Sequence, residues 1–262
     1  FHAAAYKHVP MLQNQIRETM RNNTLGTLSV ANAAVAAGVE KFVLISTDKA
    51  VNPSSMMGVS KRLAEIVGQL RNDTEKTKFI TVRFGNVLGS AGSVVPLFER
   101  QIRQGGPVTV TDPSMTRYFM TVSEACQLIL QACVMGTGGE IFVLNMGEPV
   151  KIDYLARQMI RLAGKVPDDE VEIRYTGLRP GEKLSEELFH PDESLAPTDY
   201  EKILLAQARP TTPDKFWKLL EQLASSIEEC DHKSVRDVSL ELVPEYQSIS
   251  GSPDLDASNA AA

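Results

Sequence analysis

The chain has 262 residues, 43% hydrophobic and 23% charged, with a formal net charge of −6. This is globular usage, enough for one large domain or two small ones, and the acidic balance argues against nucleic acid or an anionic membrane surface as the main partner. The three cysteines, Cys126, Cys133 and Cys230, form no C-x-x-C pair and the four histidines are scattered, so a reducing, cytoplasmic compartment is expected and a metal site is not.

No apolar run approaches the roughly 20 residues of a membrane span, and no signal peptide is evident. The chain opens at Phe1 in "FHAAA", which reads as the tail of a buried strand, so a piece of a longer protein is expected. Residues 15–37, rich in Ala, Leu and Asn, read as a helix stopped by Gly38. "KFVLIS" (41–46) is a short apolar run, as expected for a strand covered on both faces. "MMGVSKRLAEIVGQLRN" reads as a helix, "KFITVRFG" as a strand, and "VVPLFERQIRQGG" as a helix ended by Gly105 and Gly106. "PVTVTD" follows as a strand. "TVSEACQLILQACVMG" follows as a helix capped by Ser123, with Cys126, Ile129 and Cys133 along one face. "EIFVLNMG" is a buried strand, "KIDYLARQMIRLAG" a helix and "VEIRYTG" a final strand. "PTTPDKFWKLLEQLASSIEE" is a helix with Thr212 as cap, Pro213 in its first turn, and an apolar stripe of Phe216, Leu219, Leu220, Leu223 and Ile227.

Strand and helix alternate regularly, which predicts an α/β fold with a mostly parallel sheet. Such sheets bind ligands beyond the carboxyl ends of their strands. The informative loops therefore follow Ile45, Phe84 and Met146. After the first complete strand come Thr47, Asp48 and Lys49, one potential acid beside one potential base. Alone, the triplet reads equally well as a loop whose Asp caps the next helix. Lys61 shifts that balance. It lies four residues after Met57, so the two share a helix face.

A Ser/Thr after a strand, then a helical Lys, resembles the short-chain dehydrogenase/reductase superfamily. There a Tyr stands four residues before the Lys; here Met57 does. Met has no titratable proton, and on its own it reads as a packing residue. The segments "HAAAYKHVPMLQ", "STDKAVNPSSMMGVSKRLAE", "RFGNVLGSAGSVVPLFERQI", "TRYFMTVSEA" and "GLRPGEKLSEEL" together resemble the CapD-like polysaccharide biosynthesis proteins. These are extended short-chain enzymes that act as UDP-N-acetylglucosamine 4,6-dehydratases. The resemblance covers residues 1–189, and Met in place of Tyr marks that group's long, membrane-anchored branch.

The resemblance implies an incomplete Rossmann-type doubly wound parallel sheet with a small α/β substrate-binding C-terminal part. The boundaries expected are 1–147 for the NAD-binding portion, with a substrate loop at 85–119, then 148–235, then a disordered tail over 236–262. It implies a catalytic set of Thr47, Asp48, Lys49, Met57 and Lys61, with Lys61 on the nicotinamide ribose. Cofactor contacts are implied at Ala3, Ala4, Ala5, Lys61, Phe84 and Gly85, and substrate contacts at Asn86, Arg117, Arg179 and Glu182. The two arginines suit a diphosphate, because the guanidinium is planar and always charged. In the implied cycle NAD takes a hydride from C4, water leaves across C5 and C6, and the hydride returns to C6. Asp48 is expected as the acid at the departing hydroxyl. Lys49 is expected as the C5 base, which requires a lowered pKa; the two assignments could be exchanged.

The glycine fingerprint that cradles the cofactor pyrophosphate does not occur in this sequence, so this stretch alone is expected to bind NAD poorly. The implied protein is a homo-oligomer, cytoplasmic or on the cytoplasmic face of the inner membrane. Two rival readings are a UDP-sugar 4-epimerase, which needs no acid–base pair for elimination, and a non-catalytic sugar-nucleotide-binding module.

Overall fold

A computed structural model describes residues 1–72, 76–90, 92–207 and 209–247. The chain begins with a single parallel bridge from His2 to Leu44. Helix α1 (Val9–Gln13) precedes a rod made of α2 (Ile16–Thr19), a π-helical turn over Met20–Leu25, and α3 (Gly26–Ala36). The helix predicted over residues 15–37 is thus present with a wide turn inside it. Gly38, at φ +67°, ends the rod in the left-handed conformation that glycine adopts without steric cost. Next come β1 (Lys41–Thr47), a short 3-10 turn over Asp48–Ala50, α4 (Met56–Asn72), β2 (Lys78–Phe84), β3 (Asn86–Val87), α5 (Val94–Arg103), β4 (Val108–Val110), β5 (Thr116–Arg117) and β6 (Phe119–Met120). The remainder is α6 (Val122–Met135), β7 (Ile141–Leu144), β8 (Val150–Lys151), α7 (Ile152–Leu162), β9 (Ile173–Tyr175), β10 (Leu195–Pro197), β11 (Ile203–Ala206), α8 (Pro213–Glu228) and α9 (His232–Leu242).

The main sheet has the order β1-β2-β7-β11-β10. β1, β2 and β7 run parallel, while β11 and β10 join antiparallel at the edge. Because side chains alternate along a strand, Phe42, Leu44 and Phe79 pack against Ala31 of α3 and Ala64 of α4. Val43, Ile80 and Val82 point the other way, onto Ala125, Leu128 and Ala132 of α6. Both faces are covered, which is why these strands are nearly continuous apolar runs. This is the Rossmann-type α/β arrangement that the sequence predicts.

A second lobe has its own core of Phe98, Ile102, Val108, Val110, Ile152, Ala156, Ile160, Val171 and Ile173. It draws α5 and β4 from before residue 147 and α7 and β9 from after it, with β4 and β9 paired in parallel. The lobe therefore does not follow a boundary at 147. Neither half-face can be buried until the other segment arrives. β9 is not the final strand, since β10 and β11 return the chain to the main sheet. Beyond them, Phe216, Leu220, Leu223 and Ile227 of α8 pack with Val59, Leu63 and Val67 of α4.

Three local expectations need correction. Thr121, not Ser123, caps α6: its hydroxyl accepts from the Glu124 N–H, and Glu124 reaches back to the Thr121 N–H in a capping box. The buried face of that helix is Ala125, Leu128 and Ala132, leaving Cys126 exposed. The tail does not begin at 236, because α9 continues to Leu242 and buries Val235, Val238 and Leu242; residues 248–262 of the expected tail lie outside the described residues. Among the described residues, no helix is long and apolar enough to cross a membrane.

Candidate active site

The carboxyl ends of β1 and β2 open into a cavity of about 520 Å³ between the sheet and the second lobe. Its size suits a small-molecule site, and its place beyond the strand ends is where parallel sheets bind ligands. Thr47, Lys49, Met57, Lys61, Asn86 and Glu186 are among the residues lining it.

Lys49 is the hub. Its Nζ lies 2.9 Å from Asp48 Oδ1 and 3.5 Å from Glu186 Oε1, and donates to Asn86 Oδ1 at 3.3 Å. Thr47 Oγ1 also donates to Asp48 Oδ1, at 2.8 Å. Burial would lower the Lys49 pKa, but the Asp48 and Glu186 carboxylates outweigh it and the ammonium is held above its ordinary range. This corrects the expectation of a lowered lysine pKa. Asp48 is fully buried and stands behind Thr47 and Lys49 rather than on the cavity wall. Its Oδ2 has no hydrogen-bond partner and lies beneath Gly85, where an added Cβ would come within 3.0 Å of it.

Met57 and Lys61 come from adjacent turns of α4 and are 4% and 6% exposed. Lys61 Nζ donates to the carbonyl of Ile45 at 2.8 Å. Burial lowers its pKa to about 8, against a smaller opposing pull from Glu65. Asn23, on the π-helical turn, accepts from the Tyr6 N–H at 2.8 Å and donates to the Tyr6 carbonyl at 2.9 Å and to Ser60 Oγ on α4. That clamp fixes the stretch following the N-terminal alanines beside α4.

The other expected residues divide. Ala3, Ala5, Phe84 and Gly85 line the cavity; Ala4 does not. Arg117 and Arg179 line it, as does Glu182, which pairs with Arg179 at 3.5 Å. Arg117 is largely engaged already. Its guanidinium donates to the carbonyls of Thr116, Leu184 and Lys183 and sits 3.9 Å from Glu186, pinning the "GEKLSEEL" segment as a cavity wall. Glu186, in that segment, is the residue that sequence reasoning missed. Glu187 beside it turns away to Lys183 and Asn52.

A second missed constellation lies under the site. Glu65, Arg83, Glu193, Arg209, Glu245 and Arg62 close a ring of alternating charge, each joined to the next. Ser46 joins it by donating to Glu65 at 2.6 Å. Burial pushes the Glu65 carboxyl up, but Arg83 and Arg62 overcome this and hold it down at about 2. Among the described residues, no cluster of His, Cys, Asp or Glu could hold a metal ion.

A family model described as polysaccharide biosynthesis protein matches residues 1–208. The chain is 58% identical over 204 residues to the capsular polysaccharide biosynthesis protein CapD of Staphylococcus aureus, covering 78% of this chain and 34% of that protein. It is 40% identical over 197 residues to the UDP-glucose 4-epimerase of Rickettsia rickettsii, covering 74% of this chain and 56% of that one. The solved structure of MoeE5 in complex with UDP-glucuronic acid and NAD superimposes with a TM-score of 0.62 at 27% identity, over 73% of this chain and 69% of that one. The chain thus spans about a third of the length of the capsular relative that it matches.

Proposed function

The chain belongs to the polysaccharide biosynthesis protein family, and on that premise we propose that the protein containing it is a UDP-N-acetylglucosamine 4,6-dehydratase of bacterial polysaccharide synthesis. The observation that carries this reading is the packing of Thr47, Asp48 and Lys49 at the mouth of a sugar-nucleotide-sized cavity, with Lys61 on its wall. An ammonium held charged beside a reacting sugar is a proton donor, which eliminating hydroxide requires and simple epimerisation at C4 does not.

The residues present fit NAD. Lys61 has three N–H donors and gives one to Ile45, leaving two for ribose hydroxyls. The small side chains of Ala3 and Ala5 leave room beside it. When bound, NAD would accept a hydride from C4 and return it to C6. The chain's own groups do the rest. Lys49 takes the acid role at the C6 hydroxyl, exchanging the assignments suggested by sequence. Asp48 fixes the direction of Lys49 through Oδ1 and is a positioning residue. Arg179, with an exposed guanidinium, meets the diphosphate, while Arg117 acts chiefly by holding the wall. Met57 bounds the cavity without titrating.

The 40% identity to a UDP-glucose 4-epimerase favours a second reading, C4 inversion. One experiment separates the two. The full-length gene product is incubated with NAD and UDP-N-acetylglucosamine in deuterated water. A product lighter by one water with deuterium at C5 supports the dehydratase; unchanged composition with inverted C4 supports the epimerase. Bound substrate without turnover supports a non-catalytic module.

A further inference from the structure

Helix α4 carries Met57 and Lys61 to the cavity and is buried without interruption from Met56 to Gly68. α8 and α9 cover it with apolar side chains such as Leu223 and Val238. Apolar packing is non-directional, so it seats the helix without fixing its rotation. Charge-assisted hydrogen bonds are directional, and the ring of alternating charge supplies them. Glu245 Oε1 accepts from two guanidiniums at once, from Arg62 Nε at 3.3 Å and from Arg209 Nη2 at 2.6 Å. Arg62 directly follows Lys61 and also donates to Glu65 at 3.2 Å. Two residues beyond Glu245, the Gln247 N–H donates to the Pro53 carbonyl at 2.9 Å. Pro53 lies in the buried loop that joins the Asp48–Ala50 turn to α4. The segment 243–247 therefore holds the helix beside Lys61 and the loop that leads into it. Arg209 and Glu245 both lie beyond the residues that the family model matches.

We propose that Glu245 is a positioning residue of the site: through Arg62, and with the Gln247–Pro53 bond two residues on, it holds Lys61 in place at the end of β1 to receive NAD. Lys61 Nζ reaches the Ile45 carbonyl at 2.8 Å, and its remaining donors keep their aim only while α4 keeps its rotation. Without the Glu245 carboxylate, Arg62 and Arg209 face each other as like charges with no acceptor between them. Turning α4 relieves that repulsion and displaces Lys61, one residue away. Buried ion pairs are weak sources of stability, and their best-attested use is to select one arrangement among several. The inference rests on the reading of Lys61 as an NAD contact, and not on which reaction follows.

The test separates position from stability. The full-length protein is titrated with NAD and, separately, with UDP by calorimetry, and kcat is measured with UDP-N-acetylglucosamine. Misplacing a group at the site by about 1 Å can cost about 100-fold, so E245Q should weaken NAD binding by about 10-fold or more and lower kcat by about 10- to 100-fold. UDP, met by Arg179 in the proposed site, should bind E245Q within a few-fold of wild type. E245D keeps the charge on a shorter arm and should fall between. Q247P removes one N–H and no charge, and should weaken NAD in the same direction. L223A opens the apolar core under the same helices and leaves the ring intact. It should lower the melting temperature at least as far as E245Q while NAD affinity holds, all variants being measured well below their melting temperatures. The NAD titration decides the inference whether or not that sugar is turned over. NAD affinity unchanged in E245Q, where Lys61→Met weakens it, overturns the inference. An equal loss of NAD affinity in L223A also overturns it, because the effect would then be one of general stability. NAD affinity unchanged in Lys61→Met overturns the reading of Lys61, and the inference with it.

Discussion

Ser46 donates its hydroxyl to Glu65 across 2.6 Å, tying the end of β1 to the helix that presents Met57 and Lys61. Arg83, the register partner of Ser46 on β2, grips the same carboxylate at 3.1 and 2.8 Å. Met57, Lys61 and Glu65 are spaced four apart on α4, so one stripe of that helix carries both the site and its anchor. The anchor fixes how α4 is rotated against the strand ends. Its ring extends to Glu245, and the Gln247 N–H donates to the Pro53 carbonyl at 2.9 Å, so the C-terminal segment braces the loop before α4.

Removing one member of a buried ion network strands its partners, which costs about 3–5 kcal/mol. Glu65→Ala should lose that much in urea unfolding. The pH dependence has a definite sign. The folded-state carboxyl sits near 2, below its ordinary value of 4.5. Its contribution is therefore complete above the ordinary carboxylate range and is lost as pH falls toward 2. Wild type should lose stability over that window more steeply than Glu65→Gln. Parallel curves would mean that Glu65 is not held ionised by Arg83 and Arg62.

The contrast between these two constellations shows what the sequence can carry. Thr47, Asp48 and Lys49 were legible because they come at the end of a strand whose centre, Phe42–Ile45, is an apolar run, and Met57 and Lys61 because helical spacing is local. The ring members run from residue 62 to residue 245 with no period to connect them. Glu186 and Glu187 are chemically identical neighbours. Which one faces Lys49 is settled only when Arg117 pins the backbone before them and Lys183 takes the other. The second lobe was hidden for the same reason, since its core joins segments on either side of residue 147.

Lys61 should trade stability for function. Its folded-state pKa of about 8 lies below the ordinary lysine value of 10.5, chiefly through burial. A depressed lysine pKa means that stability is gained as pH rises from about 8 toward that ordinary value, and is absent below it. Lys61→Met removes a buried charge and keeps the apolar stem. At pH 7 the variant should be at least as stable as wild type in urea, and the difference should shrink or reverse by pH 10. NAD affinity, measured by calorimetry on the full-length protein, should fall. A variant much weaker at pH 7 would show that the Lys61–Ile45 bond outweighs the desolvation.

Gly58→Ala sets helix propensity against packing. Alanine favours a helix interior by about 1 kcal/mol over glycine. At this position a Cβ would collide with the carbonyl oxygen of Lys49 and stand 2.9 Å from Cβ of Pro53. The obstacle is backbone, so it cannot swing aside, and overpacking of this kind costs about 1–3 kcal/mol or more. The net effect should be a lower melting temperature. Because the displaced group is the backbone of Lys49, kcat should fall further than the melting point alone would explain. An unchanged or raised melting temperature would show that α4 can move away from the Asp48–Ala50 turn at little cost.

Met57 answers differently from a titrating residue. It is 4% exposed, on the cavity wall, and the polar contact of its own is made by the backbone, whose carbonyl accepts from Ser60 Oγ at 2.7 Å. A thioether gives no proton, so its contribution is shape. Met57→Leu conserves volume and should cost less than about 1.5 kcal/mol, with kcat for UDP-N-acetylglucosamine within about threefold of wild type, a change of under 1 kcal/mol in the barrier. Met57→Tyr adds a ring where the helix packs against β1, and should lower the melting temperature without raising kcat, because in the proposed reaction Lys49 is the proton donor. A Tyr variant that turns over faster than wild type, or a Leu variant slowed about 100-fold with binding intact, about 2.7 kcal/mol, would show that the side chain at 57 does more than bound the cavity.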